Sequence, residues 1–152
     1  MAYLTSPLTG IEVRIASFFI ENVSEQFAIR EIARQTKIDY KRTHSAIQKL
    51  VKKGVLTKKR QANIDLCSLN LRGDLTTCYY VEMLRAKYFL DKHTELKSFF
   101  QSIKEKVKTT YYSLVVFGSF AKGKETTTSD VDLLIVAPNR PVGEEIERII
   151  TS

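Results

Sequence analysis

Asp130 and Asp132 open the run SDVDLLIV, and Gly118 and Ser119 stand ten residues before them. Val131, Leu133, Leu134, Ile135 and Val136 read as a strand. Asp is depleted in strands, and a buried carboxylate without a partner is costly. In extended chain, residues i and i+2 face the same side with Cα atoms about 6–7 Å apart, so the two carboxylates can converge on one divalent cation. Backbone amides after Gly118 at a helix start, with the Ser119 hydroxyl, can cradle an anion. The chemistry these types allow is a phosphate grip facing a metal grip. The plainer alternative is a turn-capping Ser-Asp beside an exposed Asp on an edge strand.

The elements must bring the two grips together. YYSLVVFG reads as a strand ending at Gly118, SFAKGKE as a short turn or helix, and TTTS as a polar loop. About eleven residues join the strands, fewer than a parallel crossover generally needs. Antiparallel neighbours are therefore expected, with Gly118-Ser119 beside Asp130 and Asp132.

Gly-Ser, ten residues and Asp-x-Asp between apolar strands resembles the nucleotidyltransferase superfamily that includes DNA polymerase beta, and most of all the minimal prokaryotic nucleotidyltransferases. The resemblance covers about residues 94–152. It implies transfer of a nucleoside monophosphate from an NTP to a hydroxyl, with Asp130 and Asp132 as catalytic metal ligands for Mg²⁺ or Mn²⁺. Gly118, Ser119 and Lys122 would then bind the nucleotide, and Lys124 is a second cation nearby. The family completes its site with a third carboxylate on a later strand. Here VGEEIERIITS begins a helix carrying Glu144, Glu145 and Glu147. The expectation is a fragment, a trimmed chain or a degenerate member that is slow on its own, with an open sheet edge able to pair with another chain.

The rest of the chain points elsewhere. The formal net charge is +7, and residues 27–60 hold eleven Lys/Arg against Glu31 and Asp39. Such a block is either a nucleic-acid-facing surface or a solvated basic face. Ser6 and Pro7 suit a helix start, and Ile11, Ile15, Phe18 and Phe19 share one helical face. FAIREIARQT reads as a second helix entered through extended residues. Asp39 can cap a third, YKRTHSAIQKLVKK, with Thr43, Ala46, Ile47, Leu50 and Val51 on one face and Gly54 at its C-terminal turn. VLTKKRQANIDLCSLNL reads as two strands around a polar turn, Lys58 to Asn63.

Three helices and a hairpin resemble a winged helix-turn-helix over about residues 8–72. The resemblance implies duplex DNA as partner, with the third helix in the major groove. Tyr40, Lys41, Arg42, His44 and Ser45 would approach bases, and Lys49, Lys52, Lys58, Lys59 and Arg60 would meet phosphates. A winged helix used for protein contacts is the alternative.

Between the halves, DLTTCYYVEMLRAKYFLDKH reads as a stiff helix with a broad apolar surface: Tyr79, Tyr80, Met83, Leu84, Tyr88 and Phe89. These side chains are expected to pack between domains or against a second subunit. Thr94 can cap a further helix bearing Leu96, Phe99, Phe100, Ile103 and Val107. The expected fold class is α/β (α+β): a winged helix at 1–72, a connecting helix at 73–93 and a partial nucleotidyltransferase domain at 94–152.

Cys67 and Cys78 form neither a disulfide framework nor a metal spacing, and His44 and His93 lie far apart. No apolar run approaches the roughly 18 residues of a membrane span, and the N-terminus lacks signal-peptide character. A cytoplasmic protein follows as an expectation. Rival functions are a DNA-binding transcriptional regulator whose C-terminal half senses nucleotide or dimerises, and an antitoxin-type protein adenylyltransferase.

Overall fold

The computed structural model describes residues 8–73, 75–109 and 111–151. The chain divides into two compact units, Met1–Phe89 and Leu90–Ser152.

The first unit runs α1 (Gly10–Glu21), β1 (Phe27–Ala28), α2 (Ile29–Thr36), α3 (Tyr40–Lys52), β2 (Leu56–Gln61), β3 (Ile64–Leu69) and most of α4 (Thr76–Lys92). Ser6 and Pro7 lie outside the described residues. The cap of α1 is Thr9, whose side chain accepts from the Glu12 backbone while Glu12 reaches back to the Thr9 N–H, a reciprocal capping box. Lys37 ends α2 in the left-handed conformation, φ 52°. Asp39 caps α3 by accepting from the Arg42 N–H at 3.0 Å. Thr43, Ala46, Ile47 and Leu50 form the buried face of α3. The sheet order is β1-β3-β2, all antiparallel. Three helices with this small sheet are the winged-helix arrangement. Its core joins Ile15, Phe19, Ile32, Ile47, Leu50, Leu56 and Cys67, and takes Val81 from α4.

The wing differs from the sequence expectation in one respect. Its strands pair without a break from Leu56↔Leu69 to Gln61↔Ile64, so the turn is only Ala62-Asn63, with Ala62 at φ 52°. Lys58, Lys59 and Arg60 therefore lie on a strand and not in a loop. Only Leu56 of β2 is buried, so β2 has no apolar alternation to reveal it.

The second unit holds α5 (Thr94–Lys106), β4 (Ser113–Phe117), α6 (Gly118–Ala121), β5 (Asp132–Val136) and α7 (Arg140–Thr151). Thr94 is the first residue of α5 and not its cap. The cap is His93, which makes no side-chain capping bond. β4 and β5 pair antiparallel from Ser113↔Val136 to Phe117↔Asp132. Leu114 and Ile135 face Ile103 of α5 and Ile146 of α7 in a small apolar cluster. The opposite sheet face presents Val115, Phe117, Leu134 and Val136, all about half exposed. Among the described residues no helix is long and apolar enough to cross a membrane.

Candidate functional site

The antiparallel ladder sets the C-terminal site. Because Phe117 pairs with Asp132, the residue after Phe117 meets the start of β5. That residue is Gly118, at φ +72°. A Cβ there would lie 1.9 Å from Asp132 Oδ2. Glycine is thus required twice over, for its backbone conformation and for the carboxylate lying against it. Ser119 follows in α6 and is half-buried. The chain then turns back: the Gly123 N–H donates to the Phe120 carbonyl at 3.1 Å and the Lys124 N–H to the Ser119 carbonyl at 3.0 Å. Lys122 and Lys124 are exposed on this turn.

The loop that delivers Asp130 is held by its own hydroxyls. Ser129 Oγ accepts from the Thr126 N–H at 2.9 Å and lies 3.0 Å from Thr126 Oγ1. Upstream, Glu125 accepts from Lys92 Nζ at 3.1 Å, with His93 Nε2 at 3.7 Å. Its own backbone N–H and the Lys92 ammonium hold the Glu125 carboxyl below its ordinary range. Sequence reasoning missed this anchor, because Glu125 lies 33 residues after Lys92 and forms no motif with it or with His93.

Asp132 is the first residue of β5, whereas Asp130 precedes the strand in unpaired chain. The expectation of both aspartates on the strand is corrected: β4 ends at Phe117, so no ladder partner extends to Asp130. Both carboxylates are exposed, and among the described residues neither makes an ion pair with a basic side chain. Two hard oxygen donors without a protein cation, one folded over a glycine, fit a divalent ion that shares its ligands with phosphate and water. Among the described residues no group of three or more His, Cys, Asp or Glu has metal-holding geometry. Cys67 is buried, and that burial pushes its thiol up to about 11.

In the first unit, Tyr40, Lys41, Arg42, His44, Ser45, Lys49 and Lys52 are exposed along α3, and Lys58, Lys59 and Arg60 along β2. The rings of Tyr40 and His44 lie 6.1 Å apart at 34°. With Arg30, Arg60, Asn63 and Ile64 they line a cleft of ≈ 430 Å³ between α3 and the wing. Arg30, at the second position of α2, was missed. Its signal was membership of the basic block.

The cations are not equivalent. Lys58 Nζ is 3.1 Å from Asp65 Oδ2 and Arg42 Nε 3.4 Å from Asp39 Oδ2. Lys49 and Lys53 reach the buried Glu12, at 3.9 and 2.8 Å. Burial raises the Glu12 pKa, but the Lys53 hydrogen bond, the Thr9 N–H and the two ammonium charges outweigh it and hold the carboxyl below its ordinary value. Lys41, Lys52, Lys59, Arg60 and Arg30 make no ion pair among the described residues.

Residues 96–151 match the family model described as Nucleotidyltransferase domain. The chain is 44% identical over 46 residues to the curated "Putative protein adenylyltransferase MJ1305" of Methanocaldococcus jannaschii; the match covers 30% of this chain and 31% of that protein, under a third of its length. Among solved structures, a "possible transcriptional regulator" of Methanosarcina mazei is similar at 12% identity and TM-score 0.40, over 60% of this chain and 78% of the other. Sso10a-2, a DNA-binding protein from Sulfolobus solfataricus, is similar at 19% identity and TM-score 0.41, over 67% and 99%. A Lactococcus lactis ZitR mutant in complex with DNA is similar at 18% identity and TM-score 0.39, over 69% and 79%.

Proposed function

We propose that the C-terminal domain binds an NTP with Mg²⁺ or Mn²⁺ and transfers its nucleoside monophosphate to a hydroxyl, while the winged helix docks on duplex DNA. The observation that carries the first part is the close approach of the Asp132 carboxylate to Gly118, directly beside Ser119. It lets one residue pair serve both a phosphate tail and a cation.

In this reading Asp130 and Asp132 hold the divalent ion, and Gly118 and Ser119 receive the β- and γ-phosphates. The absence of a Cβ at Gly118 admits the Asp132 carboxylate to the backbone, so the cation and the phosphates would lie side by side. Lys122 offsets charge at the rim. Bound there, the metal would supply Lewis-acid polarisation of the acceptor and of the leaving oxygen. The acceptor hydroxyl oxygen forms a bond to the α-phosphorus and releases its proton to solvent water, the bond from the α-phosphorus to the bridging oxygen breaks, and pyrophosphate leaves with that electron pair. The chain's own contribution is alignment of these oxygens, which is most of what phosphoryl chemistry asks of a protein. A protein hydroxyl as acceptor is favoured by the curated relative, whose name records protein adenylylation.

The test is calorimetry with Mg²⁺ and a non-hydrolysable ATP analogue. Wild-type chain should bind the pair cooperatively, and Asp130→Asn with Asp132→Asn should weaken it at least about tenfold, or 1.4 kcal/mol. Unchanged affinity in the double variant defeats the site assignment. Labelled ATP with protein and nucleic-acid acceptors then reads transfer separately from binding.

A further inference from the structure

The helix α4 has two unlike faces. Val81 is fully buried in the core of the first unit. Tyr79 and Met83 are 69% and 60% exposed, and Ala86 is exposed as well. At 100° per residue, positions 79, 83, 86 and 90 all fall within about 40° of the direction opposite Val81. Their spacing of four, three and four is the a/d seam of a coiled coil, and Leu90 continues it half-buried. Tyr88 is 75% exposed but points close to the Val81 side and does not belong to the stripe.

We propose that this stripe is a self-association surface on which α4 of a second copy packs in parallel. The flanking charges argue for that occupant. With Met83 at an a position and Tyr79 and Ala86 at d, Glu82 falls at g and Lys87 at e. In a parallel pair each g side chain faces the e side chain five residues later on the partner helix. Glu82 then meets the second copy's Lys87, and two-fold symmetry repeats the pair. Antiparallel packing would oppose Glu82 to Phe89 and Lys87 to Tyr80, with no charge complementarity. Lys87 makes no ion pair among the described residues, and Glu82 is bound within its own helix to Arg85. A parallel pair also sends both winged helices toward the same end of a dyad, the symmetry of an inverted DNA repeat.

The seam is short, and an isolated pair of such helices would be marginal. Association is expected in the micromolar range. Sedimentation equilibrium of the full chain from low to high micromolar concentration tests it, with circular dichroism melts to confirm that each variant is folded. Wild type should approach dimer mass. Met83→Glu should raise the dissociation constant at least about tenfold, and Tyr79→Lys serves if Met83→Glu fails to fold. Glu82→Lys and Lys87→Glu should each weaken the dimer, and the double exchange should restore it.

A monomeric wild type at high micromolar concentration overturns the proposal and leaves a different protein as the occupant. So does a dimer indifferent to both seam variants. A dimer broken by Met83→Glu but indifferent to the charge exchanges overturns the parallel orientation.

Discussion

The first unit gathers fifteen buried apolar side chains into one cluster drawn from α1, α2, α3, α4 and every strand of its sheet, and the second unit gathers three among the described residues. The first unit covers the inner face of its sheet with helices on which Phe19, Ile32, Ile47 and Leu50 are fully buried. The second packs α5 and α7 against one face of two strands and leaves Val115, Phe117, Leu134 and Val136 half exposed on the other. Two strands with one covered face are close to the lower limit of independent stability. On this difference the winged helix is expected to be the more stable unit, and the part expected to do chemistry to open more easily.

Core truncations should break or sharpen this contrast most. Ile47→Ala, at a site with no solvent exposure, is expected to cost about 3–5 kcal/mol. Ile103→Ala should cost about 2 kcal/mol, since a thin core relaxes more readily around the cavity. Urea unfolding followed by far-ultraviolet dichroism reads both. Equal costs in one shared transition would mean that the two units unfold as one. Native-state hydrogen exchange extends the test: amides of α3 should exchange about tenfold to a hundredfold more slowly than those of α5 and β5.

An interaction that joins elements within the stable unit comes next. Glu12 ties α1 to the end of α3 through Lys53 and Lys49. Its folded-state pKa is lowered. The stability it contributes is therefore present above the unfolded value of about 4.3 and is lost as pH falls through the lower folded value. Glu12→Ala should cost about 1–3 kcal/mol near neutral pH, and Glu12→Gln should flatten the acid limb of the stability profile. An acid limb identical to wild type in Glu12→Gln would show that other carboxylates carry it.

In the second unit, Gly118→Ala is the sharpest local test. The new methyl would collide with the Asp132 carboxylate and sit at φ +72°, where an L residue costs roughly 1–2 kcal/mol. Displaced amide resonances should be confined to β4, α6 and β5, with the winged-helix spectrum unchanged. Shifts reaching α1 or α3 would show that the perturbation is not local.

Much of this was legible in the residues because local and tertiary preferences agree. Asp39 caps α3, the spacing of Thr43, Ala46, Ile47 and Leu50 marks its buried face, and the short connector after Gly118 forces antiparallel strands. What escaped has physical reasons. Ser6 and Thr9 are equally good caps by type, and the Glu12 that completes the box at Thr9 reads as an ordinary surface charge. β2 runs as LTKKRQ with a single buried residue, so the polar stretch resembles a turn although β3 pairs with all of it. The position of Asp130 outside β5 depends on where its partner strand ends, which no property of Asp130 reveals. The contact between Gly118 and Asp132 follows from register alone. Pairing of Lys49 with Glu12 crosses 37 residues of chain, so a charge count ranks Lys49 with its unpaired neighbours.

That last point gives the smallest expected effect. If the winged helix docks on duplex DNA through phosphates, each contact contributes about 0.9 to the slope of log affinity against log salt. Lys59 and Arg60 lie exposed on β2 without ion pairs among the described residues, so Lys59→Ala and Arg60→Ala should each lower the slope by about that amount and weaken all sequences alike. Lys49 shares Glu12 with Lys53, and Lys58 is held by Asp65. A phosphate contact from either must loosen an existing pair, so Lys49→Ala and Lys58→Ala should change the slope by clearly less. Arg30, beside Tyr40 and His44 in the cleft, should behave like Lys59. Fluorescence anisotropy with a labelled duplex at several salt concentrations separates these cases. Equal slopes for Lys49→Ala and Lys59→Ala would show that the ion pairs do not rank the cations on DNA. An effect of Lys49→Ala on thermal stability, absent in Lys59→Ala, would trace its role instead to the Glu12 anchor.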